Sequence, residues 1–166
     1  YDVMSSNEKS GILGGPNEPV CELEPPEWFK WCQHGYAAGV QADLISGKVS
    51  EGNITWKRGF VWGAGMILRK TALNELYSRG FISKMSDRKG NQLSSGGDSE
   101  LCFALVLSGW QVWYDKRLKL KHCMPAGRVS WNYLIRLFEG FGITSVGLDY
   151  YEKAIKLGKV DIDEKK

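Results

Sequence analysis

The chain carries little excess charge of either sign: 22 Lys and Arg against 19 Asp and Glu leave a net +3. Nucleic-acid binders usually show a strong basic footprint, so this balance argues against a nucleic-acid partner. Long apolar runs are missing too. The longest, Leu101 to Leu107, has seven residues, whereas a membrane-spanning helix needs about 20. No charged segment followed by an apolar stretch opens the chain, so no signal peptide is read. Cysteine is scarce, and none of Cys21, Cys32, Cys102 and Cys123 falls in a C-x-x-C pair. That pattern predicts buried free thiols rather than a disulfide framework. Cys32 and His34 look like half of a metal site, but no second half follows at zinc-like spacing. Internal repeats and low-complexity tracts are absent.

What is present is ordinary for a globular protein. The 166 residues are 43% apolar and 25% charged, within the usual range. That length favours one domain, able to bury roughly 70% of its extended surface. Seven Trp are many for this size. Packing is their first use and stacking on sugar faces the second. The chain opens Tyr1-Asp2 with no initiator Met, so it is expected to be part of a longer protein.

Residues 11–15 (GILGG) read as a short buried strand closed by a glycine turn. Pro26 is placed to open a helix carrying Trp28, Phe29, Trp31 and Cys32. Residues 45–58 and 82–97 read as polar loops, and 59–68 as a strand broken by Gly63 and Gly65. Thr71 is placed to cap a helix that stops at Gly80. Asp98 stands where an N-cap belongs, ahead of a helix through Leu107 with Gly109 as its stop. Residues 110–114 form a strand, and from Arg117 onward Leu118, Leu120 and His122 alternate with Lys119 and Lys121. Trp131, Leu134, Phe138 and Phe141 recur at helical spacing, with a further short helix over 149–157. Strands and helices alternate, so the class is α/β, with one domain over 1–158 and a charged tail over 159–166.

Asp98 is the most informative position. The run Ser94-Ser95-Gly96-Gly97-Asp98-Ser99-Glu100-Leu101 delivers a carboxylate from a glycine-rich loop to the start of an apolar helix. A plain N-cap explains such an aspartate at a gain of about 1 kcal/mol, and acids near helix starts complement the helix dipole. Two further runs bear on the choice. SSGGDSELCFALVLSGWQVWYDKRLKLKHCMP resembles the "ED" helix region of bacterial family-two glycosyltransferases. There a glycine-acid-Asp motif opens a helix, a Gly-aromatic strand follows, and a His ends the next strand. VWGAGMILRKTALNEL looks like the same family's acceptor-site strand and helix, and the likeness extends from residue 10 to about residue 142.

The resemblance implies a partial GT-A fold, a mixed sheet flanked by helices. It implies an inverting transferase moving a sugar from a nucleotide-diphosphate sugar to a glycan or lipid-linked acceptor. Asp98 matches the family's base, which takes the acceptor hydroxyl's proton; an ordinary aspartate is ionised at neutral pH. The departure is Gly97, where the family usually has an acid. Glu100 reads as an ordinary first-turn acid. His122 matches a position that helps hold a divalent metal, Mg or Mn, on the sugar-nucleotide diphosphate; without that match, a hydrogen-bonded core histidine is the reading. Trp62, Gly63 and Gly65 match the strand beside the acceptor, with Trp62 as a sugar platform, or else a kinked strand fitting a helix. Arg128 offers a planar fork for phosphate, or is a solvated surface residue. Lys116, Arg117, Lys119 and Lys121 make a basic stripe, read first as a solvated face and second as a peripheral contact with a membrane surface. The implied location is cytoplasmic, at the inner face of the membrane.

The family's nucleotide-holding strand and D-x-D metal motif are not seen. Asp161-Ile162-Asp163 is a literal match in a charged tail with no buried strand before it, and is rejected. The expectation is therefore a fragment inactive alone, with the nucleotide half upstream. A Q-x-x-R-W run of processive synthases is also absent, which favours single sugar addition. The competing readings are a non-catalytic glycan-binding module of the same fold, favoured by Gly97, and a plain α/β interaction domain.

Overall fold

Strand β1 (Ser10–Gly14) is buried at every position, because its small residues let neighbours close over Ile12 and Leu13. In the computed structural model, which describes residues 2–41, 51–85 and 95–163 with side chains through residue 158, β1 lies inside a four-stranded mixed sheet. Strand β5 (Gln111–Tyr114) runs parallel on one side of it, and β4 (Ile67–Leu68) antiparallel on the other. Strand β3 (Gly52–Asn53) pairs antiparallel with β5 at the edge. Strands β2 (Asn17–Cys21) and β6 (Leu120–Met124) form a separate parallel pair in which Pro19 faces His122. The class is α/β, as the alternation predicts.

The helices are α1 (Asp2–Ser6), α2 (Phe29–Cys32), α3 (Lys70–Ser78), α4 (Gly97–Leu107) and α5 (Trp131–Asp163). Short 3-10 turns cover Gln33–Tyr36 and Ala126–Arg128. Two cores result. One joins Ile12, Val61, Leu105, Val112 and Tyr114 between the sheet, α3 and α4. The other joins Phe29, Tyr36, Met124, Leu134 and Leu137 around β6, α2 and the start of α5.

Several expectations are corrected. Residues 59–66 are not strand; only Ile67–Leu68 pair, because the glycines leave that stretch irregular. The N-cap of α3 is Arg69 and that of α4 is Gly96, neither with a side-chain cap, so Thr71 and Asp98 both lie inside their helices. The short helix expected over 149–157 is part of α5, which runs unbroken for 33 residues. Trp131 and Phe138 are 59% and 50% exposed, while Leu134 and Leu137 carry the buried face. Of the cysteines only Cys102 is buried; Cys21 and Cys32 are half-buried and Cys123 is exposed, all four as free thiols. Residues 45–50 and 86–94 of the expected loops lie outside the described residues, as do the side chains of Asp161 and Asp163. Among the described residues no helix is long and apolar enough to cross a membrane.

Candidate functional site

The site lies at the seam between the two cores, and three loops build it. The first is the irregular stretch before β4. Trp62 follows buried Val61 and is itself 7% exposed, so the indole presents an edge rather than an open platform. The Trp62 backbone N–H donates to Gln41 Oε1 at 2.9 Å, and Gln41 Nε2 donates to the Gly15 carbonyl at 2.9 Å. Buried Gln41 thus pins the Trp62 backbone to the end of β1.

The second is the entry to α4. Here Asp98, half-buried, accepts the Gly63 N–H on Oδ2 at 2.8 Å and the Ser99 N–H on Oδ1 at 2.8 Å. Both oxygens meet backbone donors, an arrangement made for an acceptor-only carboxylate. A Cβ at Gly63 would stand 3.2 Å from Asp98 Cβ, which is why this close approach suits glycine.

The third is the turn Gln33–Ala37. Ala37 sits in the left-handed region at φ 54°, a conformation disfavoured outside glycine. Its carbonyl accepts Asn17 Nδ2 at 2.8 Å and faces His122 Nδ1 at 3.3 Å. The other proton of Asn17 Nδ2 reaches the Ala64 carbonyl at 3.0 Å. One buried amide therefore ties the Trp62–Gly65 stretch to the turn that meets His122. Gly65 completes the fit: its φ is +77°, and a Cβ there would stand 3.3 Å from Asn17 Oδ1. Two more side chains converge on this turn. The His34 ring lies 6.1 Å from the Trp62 ring. Tyr36 stacks on Tyr133 at 5.7 Å, and Arg128 Nε donates to the Tyr133 hydroxyl at 3.2 Å. Burial, with Tyr133 and Cys32 nearby, pushes the Tyr36 phenol up to about 12 even though Arg128 pulls it down.

A carbonyl can only accept, so His122 carries its proton on Nδ1. A neutral imidazole then has its lone pair on Nε2, the pattern in which a metal-binding histidine is held by a backbone carbonyl. Among the described residues, however, no group of three or more His, Cys, Asp or Glu gathers where a metal ion could be held. His122 fits the part of one ligand and no more.

Glu100 lies in the first turn of α4, as expected. It is fully buried at 0% exposure. Its carboxylate accepts Ser83 Oγ at 2.6 Å, the Lys84 and Met85 N–H groups at 3.0 Å, and the Tyr151 hydroxyl at 3.0 Å. Burial pushes the acid up, yet these donors outweigh it and hold it below its ordinary value of 4.5. Glu100 thereby fastens the Ser83–Met85 segment and α5 to the helix that carries Asp98. The basic stripe is partly neutralised: Arg117 makes a two-pronged contact with buried Asp115, and Lys116 pairs with Glu51 at 3.1 Å. Lys119 and Lys121 remain exposed.

Of the residues singled out in the sequence, Asp98, Trp62 and Gly63 touch directly or adjoin, and Gly65 and His122 join them through Asn17 and Ala37. Arg128 reaches the same turn only through two stacked tyrosines. Asn17, Gln41 and the left-handed Ala37 were not foreseen, and His34 was singled out only as half of a metal site with Cys32. No family model matches this chain, and neither a curated protein nor a solved structure does.

Proposed function

We propose that this chain is the acceptor and base side of a GT-A-type, family-two inverting glycosyltransferase. It would move a sugar from a nucleotide-diphosphate sugar to a glycan or lipid-linked acceptor. The observation that carries the reading is the carboxylate of Asp98. It is held by the Gly63 and Ser99 N–H groups at the start of a buried helix, beside the Trp62 segment. In the step this implies, the acceptor oxygen attacks the anomeric carbon as Asp98 takes the hydroxyl proton. The bond from that carbon to the diphosphate breaks, the diphosphate leaves with the electron pair, and the configuration inverts. Binding of Asp98 through two backbone donors limits its motion, and such placement of a base is a large part of what an active site contributes.

A divalent metal, when bound, would neutralise charge on the leaving diphosphate. His122 would offer Nε2 to it, with Ala37 fixing the ring, and the remaining ligands would come from outside the described residues.

A non-catalytic glycan-binding module is the second reading, favoured by Gly97 in place of an acid at the first position of α4. Turnover separates the two. The full-length protein is assayed with Mg or Mn and a panel of nucleotide sugars, beside Asp98→Asn. The expected result is a loss of about 10²–10⁴-fold in turnover, with unchanged circular dichroism and nucleotide-sugar affinity. Full turnover by the variant removes Asp98 as the base, and the absence of metal-dependent nucleotide-sugar affinity in the wild type favours the binding module.

A further inference from the structure

The segment that supplies Trp62 borders a cavity at its other end. Trp56, Lys57 and Phe60 face Phe103 of α4 and Glu152 and Lys156 of α5 around about 260 Å³ of open space. Phe60 and Phe103 meet edge to face at 5.8 Å, giving aromatic walls. Trp56 lines the same space and is 48% exposed. The rim is polar: Lys156 and Glu152 lie 3.6 Å apart on exposed side chains, a contact that water weakens enough for either head to turn to another partner.

This cavity and the Asp98 carboxylate lie along one segment. The Arg58 guanidinium lies 4.4 Å from the Phe60 ring and 5.4 Å from the Trp62 ring, so positions 58, 60 and 62 share a side. Helix α4 runs along that segment in the opposite direction. Asp98 meets Gly63, Cys102 Sγ reaches the Val61 carbonyl at 3.9 Å, and Phe103 meets Phe60. From Asp98 to Phe103 the helix rises about 7.5 Å.

Resting on the transferase reading above, we propose that this cavity is a sugar subsite and that the acceptor is an oligosaccharide, whose sugar behind the reacting one docks here. Pyranose rings present C–H faces to indole and phenyl rings and hydroxyls to their edge. Trp56, 48% exposed, supplies the first kind of surface with half-buried Phe60 beside it, and Lys57, Glu152 and Lys156 supply donors and acceptors for the second. A small, mostly apolar space with a few converging polar groups is the usual form of such sites.

The test uses the full-length protein on a glycan array of mono-, di- and trisaccharides of the common hexoses, N-acetylhexosamines and uronic acids. Three variants are run beside it: Trp56→Ala, Lys156→Ala and Asp98→Asn. The proposal expects capture of at least one di- or trisaccharide, weakened about tenfold or more (about 1.4 kcal/mol) by Trp56→Ala and less by Lys156→Ala, with the parent monosaccharide unaffected. Asp98→Asn should keep that capture. No saccharide captured, or capture indifferent to both Trp56 and Lys156, overturns the subsite. Loss of the base reading would show instead as turnover by Asp98→Asn, whatever the array reports. Both cavity residues are substantially exposed, and circular dichroism confirms that the variants fold.

Discussion

Asp98 and Gly63 hold each other: the Gly63 N–H donates to Asp98 Oδ2 at 2.8 Å, and the missing side chain of Gly63 leaves the room the carboxylate occupies. A methyl at residue 63 would stand 3.2 Å from Asp98 Cβ and 3.4 Å from Oδ2, so the acid must shift by a few tenths of an ångström. The backbone of Gly63 is not in the left-handed region, so alanine brings no backbone strain there. Gly63→Ala is therefore expected to change stability by less than about 1 kcal/mol while lowering turnover about tenfold or more through misplacement of the base. Urea melts and single-turnover assays of the full-length protein measure the two effects. Unchanged turnover would mean that the placement of Asp98 does not matter to the chemistry.

Glu100 predicts a pH dependence of stability. Its carboxyl is held below the ordinary value of 4.5 in the fold. A depressed acid contributes stability above its unfolded value and loses it as pH falls through the folded value. Glu100→Gln should cost about 3 kcal/mol at pH 7, since charged-acceptor bonds to buried donors are weakened or lost. The gap between variant and wild type should shrink on acidification below 4.5. Urea unfolding at neutral and acid pH checks this; a gap independent of pH contradicts the assignment of a charged, hydrogen-bonded Glu100.

Ala37 predicts the opposite sign. A non-glycine residue at φ 54° is strained. Glycine relieves that strain, at some cost from a freer unfolded chain. The net expectation for Ala37→Gly is a gain of about 0.5–1 kcal/mol, or about 1–4 °C in Tm. The carbonyl that meets Asn17 and His122 belongs to the backbone and is kept. A drop in Tm by calorimetry would show that the turn needs its methyl group.

Much of the frame was legible in the sequence. The buried strand at β1, the strand at β5, the stops of α3 at Gly80 and of α4 at Gly109, and the shared face of Leu120 and His122 all follow from local rules, although the strand begins at Leu120 rather than Arg117. Those rules concern residues within a few positions of one another, so a window of sequence contains the whole cause. Asp98 stood out for the same reason: a glycine-rich loop running into an apolar helix is a local pattern.

Only the tertiary structure decided what the polar residues do. Asn17 looks like a turn residue between two prolines, yet its amide bonds carbonyls 20 and 47 residues away. Glu100 looks like a helix-start acid, yet its donors lie 15 to 17 positions before it and 51 after. The glycines of α5 look like breakers, yet Gly147 lies in mid-helix where a Cβ would stand 2.4 Å from Met85 Cε. Hydrogen bonds and close packing between distant segments leave no period in the chain. They are fixed only once the apolar faces have closed and each buried polar group must find a partner among whatever the fold has brought beside it.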